Sequence, residues 1–262
     1  MDAKKPRIGI SSCLLGFEVR HDGGHKHDRY ITGTLADFFD FIPVCPESAI
    51  GLGTPRESLH LEGDSGDLRV RGNKTADLDV THLLRAYGSK MSQELSNISG
   101  YIFKSRSPSC GMERVPRKPP VGQQKIRDGV GQYAASFMSS LPLLPVEEEG
   151  RLNDPNLREN FFERIFVYYR WQCLESIGLN ARRLVDFHSA HKFLILAHGS
   201  RSLRELGQLV SVSGAQPIKT LGQRYIEMLM KTLRKPAGRK GHTDVLQHLQ
   251  GYPKKNIDQS DR

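Results

Sequence analysis

Short apolar runs of strand character alternate with stretches of helical spacing along the first 145 residues of the chain. Arg7–Ser12, Phe41–Cys45, Tyr101–Lys104 and Leu141–Pro145 read as strands. Between them, Thr34–Phe39 predicts a short helix. Asp77–Ser96 carries Leu78, Leu83, Leu84, Tyr87, Met91 and Leu95 at a helical period, and Gly131–Ser140 predicts a third helix. Strands alternating with helices predict an α/β fold built on a Rossmann-like parallel sheet. Leu59–Leu61 and Leu68–Val70 flank a Gly/Asp-rich turn at 63–67, which predicts an inserted hairpin.

At Glu147-Glu148-Glu149-Gly150 the period changes to 3.6 and stays there. Helices are predicted over Leu157–Ser176, Ala181–His198, Ser202–Val212, Ile218–Leu233 and His242–Gln250. Ser202 and Glu205 form a capping-box pattern, and Pro236 with Gly238 interrupts the chain before the last helix. These patterns predict two domains, an α/β domain over 1–150 and an all-α domain over 151–262.

Charge divides at the same place. Residues 1–150 hold 19 Lys+Arg against 19 Asp+Glu, whereas 151–262 hold 19 against 10 and so carry the whole net charge of +9. A neutral half joined to a basic half suggests a catalytic domain with an anion-binding partner domain, nucleic acid being the first polyanion to consider. The opening segment MDAKKPRIGISSC has too short an apolar run for a signal peptide, and no stretch is long and apolar enough to span a bilayer. The expected location is the cytoplasm, where thiols stay reduced.

That expectation gives the four cysteines their interest. Cys13, Cys45, Cys110 and Cys173 match neither a disulfide framework nor a C-x-x-C zinc pattern. Cys13 and Cys45 end predicted strands and Cys110 follows a third by a short loop. The carboxyl ends of parallel strands form the crevice where ligands bind, so these three thiols are expected to converge. A lone cysteine is more often a small apolar core residue, the reading preferred for Cys173, which is expected to be buried and inert. Three thiolates suit a zinc ion or an iron–sulfur cluster. Widely spaced ligands and the Cys45-Pro46 step favour the cluster. With three protein ligands, one iron would remain open to substrate.

ISSCLLG at 10–16, CPE at 45–47 and KSRSPSCG at 104–111 resemble, in the same order, the three signatures of the thiouracil desulfidase family. The likeness runs over 7–150 and includes RHDGGHKHD at 20–28 and LPVEEEGRLND at 144–154. It implies a 4Fe-4S cluster held by Cys13, Cys45 and Cys110 with one iron not ligated by protein, and catalytic roles for Glu47 and Ser107. The chemistry implied is non-redox replacement of C=S by C=O in a thiolated pyrimidine. Glu47 is suited to activating water and Ser107 to hydrogen-bonding the ring. A carboxylate at a helix start and a Ser-Pro-Ser turn explain the same residues without catalysis. His21, Asp22 and Lys26, in a polar loop after Cys13, are expected to close over substrate; a metal site is the less favoured reading. Arg56, Lys104 and Arg106 are candidate contacts to a phosphate or ring carbonyl, or simple surface ion pairs. Ser109 completes the expected substrate-binding set.

Residues 155–252 resemble the helical domain often fused to this desulfidase domain, through FHSAHKFLILAHG at 187–199 and KPAGRKGHTDVLQHLQGY at 235–252. GYP at 251–253 departs from the family by placing a proline where an aromatic residue is more usual. Fused proteins of this kind resemble tRNA 4-thiouridine desulfidases, which implies tRNA as substrate and the helical half as its binding module. Lys231, Arg234, Lys235, Arg239, Lys240 and His242 are the expected RNA contacts around a Pro/Gly loop. His188, His191 and His198 share a helix face, where packing is preferred to zinc binding. Two other functions remain open: desulfuration of free thiouracil or a thionucleotide, and a cluster-bearing RNA-binding regulator without catalysis. The sequence leaves the oligomeric state undetermined.

Overall fold

The computed structural model describes residues 4–64, 66–75, 77–118 and 126–256, with side chains to 251. In chain order its strands are β1 (Arg7–Ser11), β2 (Asp40–Val44), β3 (Leu59–Glu62), β4 (Arg69–Gly72), β5 (Gly100–Phe103), β6 (Val115–Lys118), β7 (Ile126–Gly129) and β8 (Val146–Glu148). Its α-helices are α1 (Pro46–Ala49), α2 (Thr81–Glu94), α3 (Gln132–Ser140), α4 (Pro155–Ser176), α5 (Ala181–His198), α6 (Ser200–Ser211), α7 (Ile218–Leu233) and α8 (Arg239–Asn256). The chain divides into two compact units, Met1–Phe161 and Phe162–Arg262.

The first unit is built on a parallel sheet of order β2-β1-β5-β8. The order reverses beside β1: the chain moves to β2 on one side and to β5 and β8 on the other. Such a reversal opens a crevice at the carboxyl ends of the strands. Ile8, Ile10, Tyr101 and Phe103 are fully buried in the central strands. Tyr133 and Phe137 of α3 pack on Tyr101 and Phe103, and Tyr87 of α2 lies against Tyr133. Burying each such aromatic ring contributes about 2–3 kcal/mol.

The predicted hairpin forms as β3–β4, but it belongs to a second sheet of order β4-β3-β6-β7. That sheet joins two antiparallel hairpins through a parallel β3–β6 pair. Sequence patterning missed β6 and β7 because VPRK and IRDG are half charged, and the first holds a proline. Arg117 is buried in β6 all the same, with Asp128 accepting from its Nε at 2.6 Å.

Three local expectations are corrected. The strand predicted at Leu141–Pro145 lies at Val146–Glu148. Its two glutamates, 3% and 6% exposed, hide it from a search for apolar runs. The helix predicted at Thr34–Phe39 is a π turn at Tyr30–Thr34 followed by a 3₁₀ turn at Leu35–Asp37. No capping box starts α6. That helix begins at Ser200, and Glu205 pairs instead with Arg201 at 2.8 Å.

The second unit is all helix, as expected. Trp171, Phe187 and Tyr225 form its aromatic centre, with Leu184, Ile195, Leu221 and Leu229 buried around them. The last helix starts at Arg239 rather than His242, one turn earlier than the apolar period implied. Cys173 is exposed, a correction to its expected burial. On α4 the neighbouring Trp171 and Leu174 turn inward, which leaves Cys173 on the opposite face. Among the described residues no helix is long and apolar enough to cross a membrane.

Candidate functional site

Cys45 follows β2 directly, Cys13 sits in a 3₁₀ turn (Ser12–Leu15) directly after β1, and Cys110 lies on the loop that leaves β5. These are three adjacent strands in the sheet, so their thiols meet at one end of it. Together they line a cavity of about 410 Å³ with Glu47, Arg56, Lys104, Arg106, Ser107, His21 and Lys26.

The Cys110 loop is held from several sides. Ser107 Oγ accepts the amides of Ser109 at 3.3 Å and of Cys110 at 3.1 Å. A hydroxyl that accepts in this way keeps its own proton free to donate. A Cβ at Gly131 would stand 2.5 Å from Ser109 O, so the start of α3 can approach the loop this closely only as glycine. Glu148 Oε1 accepts the Met112 amide at 2.8 Å just beyond Cys110. Burial pushes the Glu148 carboxyl up, against the lowering effect of that bond. Glu149 accepts from Lys104 Nζ, and from the Ser105 amide at 2.7 Å. The acidic run that read as a boundary therefore supplies a strand and two ties to the cavity wall.

Glu47 opens α1, two residues after Cys45. Its Oε2 accepts from Arg56 Nε at 3.0 Å and Nη2 at 2.7 Å, and its Oε1 accepts from Ser109 Oγ at 2.8 Å. Ser48 Oγ donates to Cys45 Sγ at 3.2 Å.

Burial pushes the Cys13 thiol up to about 11, and Lys104 nearby only partly offsets this. Burial raises Cys110 as well, and Glu47, Cys45 and Cys13 each add to the rise. A cationic centre bound by Cys13 and Cys110 would favour their thiolate forms against this burial. Among the described residues no three His, Cys, Asp or Glu side chains are arranged to hold a single metal ion.

Of the expected substrate contacts, His21, Lys26, Lys104 and Arg106 line the cavity. Arg106 is exposed and holds φ at 60°, a left-handed conformation unusual for an arginine. Arg56 also lines it, yet each of its five N–H donors meets a protein acceptor: Glu47 twice, Val19 O, Gly53 O and Thr54 Oγ1. It has none left for a substrate. Asp22 and Ser109 are not among the lining residues. Asp22 closes its own loop through Gly24 N at 3.1 Å and Arg20, and Ser109 is fully buried with its hydroxyl on Glu47. Sequence reading passed over Arg20, Ser12 and Ser58, which do line the cavity. Arg20 opens the RHDGGHKHD segment, the one signal that could have found it.

In the helical unit, Arg234, Lys235, Arg239, Lys240 and His242 are all exposed. His198 Nδ1 lies 2.8 Å from Lys235 O, where its N–H tautomer donates, and a Cβ at Gly241 would collide with Ala197 O. These contacts fasten the basic segment to the end of α5, so the two motifs quoted for this half meet. Lys231 instead lines a groove between α6 and α7 with Glu205 and Glu227. His188 bonds Tyr225 Oη and His191 bonds Phe187 O, a packing role for both.

Residues 8–149 match the family described as 2-thiouracil desulfurase, and residues 192–262 match DUF1722, described as a protein of unknown function. Uncharacterized protein YbgA of Escherichia coli (strain K12) is 34% identical over 100 residues, which cover 38% of this chain and 59% of the relative. Uncharacterized protein YbbK of Bacillus subtilis (strain 168) is 35% identical over 111 residues, 40% of this chain and 72% of the relative. Among solved structures, the [4Fe-4S]-dependent thiouracil desulfidase TudS aligns at 28% identity and a TM-score of 0.44, covering 57% of this chain and 94% of that one. The chain thus spans 59% of YbgA and 72% of YbbK.

Proposed function

The chain belongs to the 2-thiouracil desulfurase family, and from that premise we propose that it removes sulfur from 4-thiouridine in tRNA, leaving uridine. The reaction consumes water and releases hydrogen sulfide, with no net oxidation or reduction. The observation that carries the reading is the convergence of Cys13, Cys45 and Cys110 with Glu47 and Ser107 on one cavity. The three cysteines would hold a 4Fe-4S cluster whose unligated iron supplies a Lewis acid for the departing sulfur.

The protein's own groups have separable tasks. Glu47 takes a proton from the attacking water. Ser107 donates its free O–H to the pyrimidine ring, while its oxygen keeps Cys110 in register. Lys26, His21 and Arg106 at the cavity accept the polar edge of the substrate. The ties of Lys104 to Glu149 and Ser105 make it a wall residue rather than a mobile contact. Support for tRNA rather than a free base comes from the +9 confined to residues 151–262 and from the exposed basic segment fastened beside His198.

The test is anaerobic reconstitution with iron and sulfide, followed by turnover of 2-thiouracil and of 4-thiouridine. Glu47→Ala should retain its iron and lose at least ~100-fold in turnover, the scale of a missing acid–base group. Iron-replete Glu47→Ala turning over at a near-normal rate would remove Glu47 from the reaction.

A further inference from the structure

We propose that Arg56 and Ser109 are a positioning pair for Glu47, and that together they leave Oε1 as the only oxygen of this carboxylate able to take a proton from a molecule in the cavity. The inference rests on the reading of Glu47 as the proton-accepting group, and it assigns the acting atom and the residues that aim it.

A carboxylate oxygen has two acceptor sites. Both sites of Oε2 are filled, by Arg56 Nε at 3.0 Å and Nη2 at 2.7 Å. Oε1 receives one bond, from Ser109 Oγ at 2.8 Å, and keeps one site open. The two donors come from different parts of the chain, so the carboxylate is held at both oxygens.

Each donor is itself fixed. The Arg56 side chain is 6% exposed, and its remaining N–H groups reach Gly53 O at 2.7 Å, Thr54 Oγ1 at 3.3 Å and Val19 O at 2.9 Å. Val19 O is also the carbonyl facing the Cys45 thiol, 3.8 Å away, so one guanidinium ties the loop after Cys13 to the helix that follows Cys45. Ser109 is fully buried, and its carbonyl accepts the Ala134 amide of α3 at 3.1 Å. Only a planar guanidinium supplies two parallel donors to one carboxylate while holding three other acceptors. An ammonium at the same place would leave part of Oε2 open. A base displaced by about 1 Å loses on the order of 10²-fold in rate, which is the effect such a clamp prevents.

The experiment uses the reconstituted full-length protein with a free thiopyrimidine, comparing Glu47→Gln, Arg56→Lys, Arg56→Ala, Ser109→Ala and the Glu47→Gln/Arg56→Lys pair. Iron and sulfide per chain, KM and kcat are measured for each. Arg56→Lys and Ser109→Ala should keep wild-type iron content and KM while kcat falls about 10- to 100-fold. The double variant should be no slower than Glu47→Gln alone, because the clamp acts only through the carboxylate. Millimolar guanidinium should restore part of kcat to Arg56→Ala and none to Glu47→Gln, a response that a purely structural role would not give. If Arg56→Ala does not fold, Ser109→Ala and Arg56→Lys decide the matter. Slow Glu47→Gln together with wild-type kcat in both Arg56→Lys and Ser109→Ala, or with additive losses in the pair, would overturn the clamp and leave Glu47 in place. Near-normal kcat in Glu47→Gln would overturn both.

Discussion

Glu148 Oε1 accepts the backbone N–H of Met112 at 2.8 Å, so the edge strand of the parallel sheet holds the chain just past Cys110. The same oxygen faces the Glu113 amide at 3.5 Å, and Glu148 itself is 6% exposed. A buried carboxylate of this kind is tolerated because it replaces water for a loop whose amides have no strand to pair with.

Replacing Glu148 with alanine should therefore cost about 1–3 kcal/mol, the penalty of leaving a buried partner unsatisfied. Because the loop carries Cys110, iron retained per chain should fall as well. Glu148→Gln keeps an acceptor oxygen and should lose less on both counts. Equal melting temperature and iron content in Glu148→Ala and wild type would show that the loop does not depend on this tie.

The cysteines make a second prediction that needs no substrate. Cys13→Ala, Cys45→Ala and Cys110→Ala should each abolish cluster absorbance after reconstitution, whereas Cys173→Ala should not. In iron-free protein the exposed Cys173 should be alkylated first. Cys13, buried and pushed up to about 11, should react slowly at neutral pH. Stoichiometric zinc bound by the same three cysteines, with no iron-dependent turnover, would overturn the cluster assignment.

Away from the cavity, stability should depend on Asp79 in acid. Burial works to raise this carboxyl, but the Thr81 hydroxyl and amide and Arg69 outweigh it and hold the group at about 2. A lowered folded value means that its contribution is present above the ordinary aspartate range and is lost as pH falls toward 2. Asp79→Asn should thus lower stability by about 1–2 kcal/mol at pH 7, with the difference shrinking as pH falls and vanishing only below the folded value of about 2. A pH-independent difference would mean that packing at the start of α2, not charge, is responsible.

The basic segment permits a quantitative test. Each phosphate contact contributes roughly −0.7 to −0.9 to the slope of log affinity against log salt. Neutralising Lys235, Arg239 and Lys240 together should flatten the slope for tRNA by about 2–3, without changing turnover of a free thiopyrimidine. An unchanged slope in the folded triple variant would move the RNA surface elsewhere.

The parallel sheet and the meeting of three thiols were legible because strands announce themselves by apolar runs and their carboxyl ends lie together. β8 was not, since Glu147 and Glu148 are buried with hydrogen-bond partners, Arg151 for the first and the Met112 amide for the second, that a search for apolar runs does not display. The pairing of Glu47 with Ser109 rather than Ser107 was invisible for a related reason. Two serines two residues apart in a turn are chemically alike, and only the fold decides which one is buried. Cys173 misled for the opposite cause: a thiol carries no mark of which face of α4 it occupies.

The central claim is most directly tested by nucleoside analysis. Reconstituted protein is incubated anaerobically with tRNA bearing 4-thiouridine, the tRNA is digested, and both nucleosides and released sulfide are measured. The account predicts loss of 4-thiouridine matched by an equal gain of uridine and of sulfide, and none of these with Cys110→Ala. Intact 4-thiouridine in tRNA, alongside rapid conversion of free 2-thiouracil, would contradict the assignment of tRNA as substrate.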